Sequence, residues 1–298
     1  MKGLAKSVDG AGFAFTHLEL PGKDGEGDAI EEKFGNIDAL EPYVHLRYVN
    51  LSNHMLQNPG PLVKMSHLLS LNLSKNRLTA AGLQSFRETP LKFLQVLDLS
   101  ENLLENYSLD FPMLRELYLN KNQLNDVKLI MEGSVLKLLD LRDNGPMEPP
   151  PAVAEGEEQP PLKGLQDCDG FGVPSLETLL LTGNPNLKSL NGLQTLTGVT
   201  ELDLSGNGVE SLDGLPTNGK LSKLLMKDCK IAAWEELDKL TALTTVIELD
   251  VEACPLPGLT RGRILMRVPG LKILDGLPIR EDDTEAAKQG DPAPSAEE

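Results

Sequence analysis

At 298 residues, with 40% hydrophobic side chains but only 4% aromatic, the chain has the apolar content of a folded protein whose core is tiled from leucine rather than from large rings. Its formal charge of −17 comes mainly from residues 1–40 (net −4), 145–174 (net −5) and 281–298 (net −6), and the rest carries 22 basic against 24 acidic groups. A body so nearly neutral lacks the cationic face that nucleic-acid phosphates require, so no nucleic-acid partner is expected.

In chain order, Met1–Gly10 has no apolar core of the signal-peptide kind, and nowhere do 18 apolar residues run together, so neither secretion nor a membrane span is expected. Phe15, Leu18 and Leu20 alternate like a starting strand, which makes residues 1–40 an N-terminal capping segment. Gly22, Gly25 and Gly27 read as a polar loop, because no strand-turn-helix context makes them a dinucleotide fingerprint.

From residue 41 the chain aligns on itself. The pattern L-x-x-L-x-L-x-x-N-x-L is clearest at Leu68, Leu71, Leu73, Asn76, Leu78 and at Leu94, Leu97, Leu99, Asn102, Leu104. Copies begin at Leu46, Leu68, Leu94, Leu114, Leu136, Leu176, Val199, Leu221 and Val246, with start-to-start spacings of 22, 26, 20, 22, 40, 23, 22 and 25 residues. His54 stands in the Asn column of the first copy, and Cys229 and Cys254 stand there in the last two. Because alternate side chains of a strand face opposite ways, the leucines of each L-x-L point inward and the intervening residues outward. Asn then ties neighbouring coils where the chain turns, and Cys, a weaker hydrogen-bonder, should tie the last two less well.

One coil cannot bury its own leucines, so the copies must stack. The expected fold is an α/β leucine-rich repeat solenoid over residues 41–280: a curved right-handed superhelix with a parallel concave β-sheet and an irregular or short helical convex side. The connections carry no second strand pattern, while Ala80–Phe86 and Trp234–Leu240 read as helical turns. The spacing of 40 swells at a Pro/Glu-rich insert, 145–174, read as a surface excursion. A cap over 257–280 contains a short helix at Ile264–Val268, and the acidic, Ala- and Pro-rich segment 281–298 is expected to be disordered.

No catalytic, cofactor or metal site is expected. His17, His45, His54 and His67 have no ligand-type partners at motif spacing, and P-loop, nucleophile-elbow and HExxH motifs are absent. Cys168, Cys229 and Cys254 are odd in number, which fits free thiols in a reducing compartment; a Cys229–Cys254 bridge between adjacent coils is the alternative. The sequons at Asn50, Asn72 and Asn106 are expected to be unused.

Function is therefore expected on the concave face, in contact with other proteins rather than a membrane or a small-molecule substrate. Tyr118, Leu138, Leu180 and Leu225 put apolar side chains where solvent-facing positions are ordinarily polar, which marks either a contact surface or shielding by the insert. Tyr48 and Arg142 lie on the same face. Lys223 and Lys227 stand opposite Glu248 and Glu252 one coil later, as cross-strand pairs. Asp98, Asp140, Asp203 and Asp250 form a column open to a basic partner or simply typical of the repeat.

The 22-residue spacing and Leu187, Leu190, Leu193, Leu196 and Leu215 resemble the repeat class of protein-phosphatase-one regulators and the axonemal dynein light chain. Gly12–Leu20 (GFAFTHLEL) with Leu40–Leu56 (LEPYVHLRYVNLSNHML), and the cap Cys254–Asp275 with Arg261, Met266, Pro269, Leu271 and Leu274, are similar to the leucine-rich repeat-containing protein 23 family of ciliary radial-spoke components. That resemblance implies a structural, non-enzymatic role in the axoneme of a cilium or flagellum. A regulatory adaptor of a phosphatase or other signalling complex is the alternative.

Overall fold

The computed structural model describes residues 4–9, 12–23, 33–127, 135–145, 164–217 and 219–289. They form two compact units, Met1–Gly164 and Leu165–Glu298. The division falls inside the Pro/Glu-rich segment, whose residues 146–163 lie outside the described part.

In the first unit, β1 (Leu4–Asp9) and β2 (Gly12–Glu19) make an antiparallel hairpin, and β3 (Tyr48–Asn50) adds parallel to β2. Next come β4 (Ser70–Asn72), α1 (Gln84–Glu88), β5 (Val96–Asp98), β6 (Asn106–Tyr107), β7 (Glu116–Tyr118), β8 (Asp126–Val127) and β9 (Leu138–Asp140). The sheet order is β1-β2-β3-β4-β5-β7-β9. From β2 onward it is parallel, with Leu18, Val49, Leu71, Leu97, Leu117 and Leu139 paired in one buried column. In the second unit the strands are β10 (Thr178–Leu180), β11 (Glu201–Asp203), β12 (Lys223–Leu225) and β13 (Glu248–Asp250). Their column is Leu179, Leu202, Leu224 and Leu249, continued by Leu274 of β14 (Ile273–Leu274), which turns back antiparallel into β15 (Leu277–Pro278). Helices α2 (Trp234–Asp238), α3 (Arg261–Arg267) and α4 (Glu281–Gln289) complete it.

The Asn column does more than tie a turn. Asn102 Nδ2 donates to the Leu73 carbonyl of the preceding coil (3.0 Å) and to Leu99 and Ser100 of its own, while its Oδ1 accepts Leu78 N–H (2.9 Å). Asn76, Asn122 and Asn144 repeat the reach to Leu51, Leu99 and Leu119. His54 makes it with its ring, Nε2 lying 2.7 Å from the Leu20 carbonyl, a contact that requires the proton on Nε2. Cys229 and Cys254 make it with their thiols, to Leu204 (3.2 Å) and Met226 (3.1 Å), so the backward bond is kept there, by a weaker donor. All three cysteines are free and buried, and burial pushes the Cys229 and Cys254 thiols up to about 12 and about 11.

Immediately before this column the backbone turns left-handed. Asn53, Lys75, Glu101, Lys121, Asp143, Asp228 and Ala253 hold φ between 52° and 62°, and only Gly183 and Gly206 supply glycine there. A side chain in this region costs about 1–2 kcal/mol. The next coil enforces it, because Lys75 N–H is bound by the Ser100 carbonyl, Glu101 by Asn120 and Asp228 by Glu252.

Several expectations change. The connections do carry a second ladder, β6 pairing parallel with β8, because Tyr107 and Val127 bury their side chains and so order the residues beside them. Residues 164–174 are not a surface excursion: Leu165, Cys168, Phe171 and Val173 are buried, and Cys168 N–H and the Thr195 hydroxyl bind across to Asn191 and Phe171 carbonyls. This stretch is the far side of a coil, matching Leu187, Leu190, Leu193 and Leu196 in the next one. The cap helix begins earlier than expected, at Arg261, where Thr260 Oγ1 accepts Arg263 N–H as an N-cap.

The expectation of disorder over 281–298 is corrected for 281–289, and the remainder lies outside the described residues. Glu281, Asp282 and Asp283 place acidic charge in the first turn of α4, favourable at a helix N-terminus. Arg261 then staples the end of the unit, binding Asp283 Oδ1 (3.0 Å) and the Leu274 and Pro278 carbonyls. Close approach of α3 and α4 depends on Gly262, where a β-carbon would sit 3.3 Å from both Ala286 Cβ and Ala287 N.

Leu117→Ala should destabilise the first unit by about 2–5 kcal/mol in urea unfolding, since Leu117 is fully buried. Burial lowers the His54 pKa from 6.5, with a charge contribution from Lys33 in the same direction. The unfolded chain therefore binds the proton more readily, and stability present above pH 6.5 should be lost as the pH falls below it; in His54→Asn the corresponding pH slope should flatten. Gly262→Val should cost roughly 1–3 kcal/mol by overpacking and expose Glu281–Gln289 to amide exchange.

Candidate functional site

The strand face of each unit presents the side chains that alternate with the buried leucines. In the first unit Tyr48 is 39% exposed and stacks on His17, ring centroids 4.4 Å apart at 12°, because β2 and β3 pair these residues directly. Tyr118 is half-buried and donates its hydroxyl to Glu116 Oε2 (2.9 Å). Partial burial, then that bond and the carboxylates of Glu116, Asp98 and Asp140, push its pKa up to about 12. Leu138 lies two strand residues from Asp140, whose fully buried carboxylate is held by Arg142 through Nε (2.9 Å) and a second guanidinium nitrogen (2.7 Å).

In the second unit Leu180 and Leu225 flank Asp203 on adjacent strands. Lys223 sits between two carboxylates, Glu201 at 3.0 Å and Glu248 at 3.7 Å, and Lys227 pairs with Glu252. The hydrogen bond that Lys223 donates to Glu201 is the largest cause of its raised pKa. Both lysines thus stand in pairs across strands, and Glu201 is a partner that the spacing alone left out. The four apolar positions Tyr118, Leu138, Leu180 and Leu225 are half-buried rather than exposed, because neighbouring side chains on a sheet pack flank to flank.

The aspartate column has a local role. Asp98 Oδ1 accepts both the backbone N–H (2.9 Å) and the hydroxyl (2.6 Å) of Ser100, and Asp203 and Asp250 accept N–H groups two residues on. Asn50 and Asn72, the sequon residues on the strands, do the same for Ser52 and Ser74. These side chains shape the turn leaving the strand. Among the described residues no group of three or more His, Cys, Asp or Glu side chains is placed to hold a metal ion, and no helix is long and apolar enough to cross a membrane.

The most exposed apolar row of the first unit escaped the sequence reading. Phe93, Met113 and Val135 are 49%, 42% and 37% exposed, each three residues ahead of a mutually paired strand position. The signal was present: each directly precedes the first leucine of its copy, a position the repeat leaves free.

A family model described as Leucine Rich repeat matches residues 64–86. Human leucine-rich repeat-containing protein 23 is 28% identical over 277 residues, covering 91% of this chain and 71% of the human protein. The bovine protein of that name is 27% identical over 80% of this chain, which spans 61% of the bovine length. Tsukushi of Gallus gallus is 31% identical over 62% of this chain and 55% of its own. A solved leucine-rich repeat protein of Leptospira interrogans superposes with a TM-score of 0.54 at 17% identity, covering 82% of this chain and 62% of that one. The leucine-rich repeat domain of APL1B gives 0.51 at 17% identity, over 81% and 65%. These two speak for the fold alone. Stacked three-residue strands, side chains reaching back to the coil before and the breadth of these likenesses have one reading: the chain is a leucine-rich repeat protein resembling leucine-rich repeat-containing protein 23.

Proposed function

We propose that this protein is a non-enzymatic protein-interaction scaffold of the ciliary or flagellar axoneme, part of a radial-spoke or microtubule-associated complex. The observation that carries the reading is the likeness to leucine-rich repeat-containing protein 23 over 91% of the chain, together with the motif resemblance to radial-spoke components at its two ends. The build of the molecule supports the scaffold part. The buried column side chains His54, Asn76, Asn102, Asn122 and Asn144 are committed to coil-to-coil hydrogen bonding, and the strand faces offer broad mixed surfaces of aromatic, aliphatic and paired charged groups. Surfaces of this composition recognise other proteins, with half-buried aliphatic and aromatic side chains as the anchors.

In this reading Tyr48, Tyr118, Leu138 and Arg142 of the first unit, and Leu180, Lys223, Leu225 and Lys227 of the second, supply the contacts. Lys223 and Lys227 act through their charge-paired rows, which present alternating signs to a partner. The compartment is the reducing cell interior, in keeping with three buried free thiols.

A tagged copy expressed in a ciliated cell should remain with detergent-extracted axonemes. Leu180→Asp combined with Leu225→Asp should lower the retained fraction at least tenfold while leaving the far-ultraviolet CD spectrum unchanged. Complete release of the unmodified chain by detergent would remove the axonemal reading. Recovery of that chain in a defined complex with a phosphatase catalytic subunit would favour the adaptor alternative.

A further inference from the structure

The turn that enters each strand has one geometry in both units. A backbone N–H of the first leucine binds the carbonyl three residues earlier, as in Leu68 to Met65, Leu94 to Leu91, Leu114 to Phe111, Leu176 to Val173 and Val246 to Leu243. Between these two residues lies a side chain just ahead of the leucine, pointed out of the core. In the second unit this position holds Ser175, Gly198, Lys220, Thr245 and Gly270, so the turn itself asks for nothing apolar. At Gly198 a β-carbon would lie only 2.6 Å from the Pro174 carbonyl oxygen, which leaves no room for any side chain.

In the first unit the same position reads His45, His67, Phe93, Met113 and Val135, all exposed. Pairing of β3, β4, β5, β7 and β9 puts these residues in step across successive coils. His67 stacks on Phe93 with centroids 6.0 Å apart, as neighbouring coils require. Phe93, Met113 and Val135 therefore form an apolar ridge along one rim, with a repeat of about 4.8 Å per coil.

One row of side chains beside the ridge carries charges of a single sign. Two positions further on, the row reads Arg47, Leu69, Gln95, Arg115 and Lys137, and Lys92 adjoins Phe93. Arg47, Lys92 and Arg115 are exposed and make no ion pair among the described residues. The carboxylate nearest along the chain to Arg115, Glu116, already accepts the Tyr118 hydroxyl. In a chain of net charge −17, a rim with uncompensated cations beside exposed apolar groups is selective for the opposite charge. Only short-range contact senses it, since the Debye length is about 8 Å in physiological salt.

We propose that this rim of the first unit docks an acidic amphipathic helix of a partner protein. The apolar stripe of the helix lies along Phe93, Met113 and Val135, and its carboxylates meet Arg115, Lys92 and Arg47. The dimensions agree, because a helix advances about 5.4 Å per turn against about 4.8 Å per coil. Anchors one turn apart then fall on successive coils, the helix-in-groove mode of recognition. This deepens the scaffold reading and rests on it, but concerns the rim rather than the strand face.

The test uses the full chain and a fluorescein-labelled 18-residue peptide with Leu at i, i+3, i+4 and i+7 spacing and Glu elsewhere, read by fluorescence anisotropy. Binding is expected to weaken with added salt and to fall at least tenfold in Phe93→Ser/Arg115→Glu. It should persist in Arg115→Lys and in Leu225→Asp, and be absent for the same peptide with Lys in place of Glu. No binding by the unmodified chain, equal binding by Phe93→Ser/Arg115→Glu, or equal binding of the lysine peptide would overturn the proposal. So would sedimentation of the unmodified chain as a dimer that Phe93→Ser dissociates, since a second copy would then cover the ridge. In each of these cases axonemal retention still decides the scaffold reading separately.

Discussion

Within each unit, coils are held by side chains that reach back to the main chain of the coil before. For His54, Asn76, Asn102, Asn122, Asn144, Cys229 and Cys254 the acceptor is the carbonyl of the second inward residue of the preceding strand, as Leu73 is for Asn102, whereas Asn207 reaches back by accepting Asn184 N–H on its Oδ1. These carbonyls lie inside the stack, and an unpaired one costs about 1–3 kcal/mol. Whatever meets such a carbonyl from the column must therefore donate, be short enough to fit and fill the space. Asn, His and Cys all satisfy that demand, and an aliphatic residue of the same size does not. The left-handed residue just before the column follows from it, because the chain has to bend sharply to aim the donor backward, and the next coil's carbonyl holds the bend in place.

What was legible in the sequence was whatever repeats with a fixed offset. The leucine columns, the nine three-residue strands and the cross-strand lysine–glutamate pairs all depend on register, and register is what self-alignment detects. Hidden from it were features satisfied by one-off contacts. Helix α4 has no apolar stripe and is composed of residues typical of disordered tails; it is ordered by Arg261 and by the absence of a side chain at Gly262. The coil at Leu165–Val173 was obscured for another reason. Cys168 and Phe171 stand in columns that hold leucine in the next coil, and a preceding run of proline and glutamate made the whole stretch look polar.

The candidate site divides along the same line. Alternation alone decides which strand residues share a face, but it does not decide how far each is exposed. On a flat parallel sheet each side chain is flanked by two neighbours at about 4.8 Å, so Leu138, Leu180 and Leu225 are half-covered by the residues beside them. At the rim the backbone has just turned, and Phe93, although it stacks on His67, stays 49% exposed. Phe93 (49%) and Met113 (42%) are more exposed than any apolar residue of the three-residue strands, of which Tyr48 (39%) comes next.

This asymmetry bears on how such a scaffold carries more than one partner. A strand face is built from paired charges and partly covered aliphatics, so a partner must fit its contour and displace little apolar surface from water. A rim with exposed Phe, Met and Val side chains offers more apolar area per residue, at about 25 cal/mol for each Å² buried, but spread over only three coils. The first surface is suited to broad, shape-dependent contact and the second to a narrow segment bound through a few anchors. Because the second unit fills the corresponding rim with Ser, Gly, Lys and Thr, the segment-binding surface is confined to the first, and substitutions at the rim leave the leucine columns beneath it untouched.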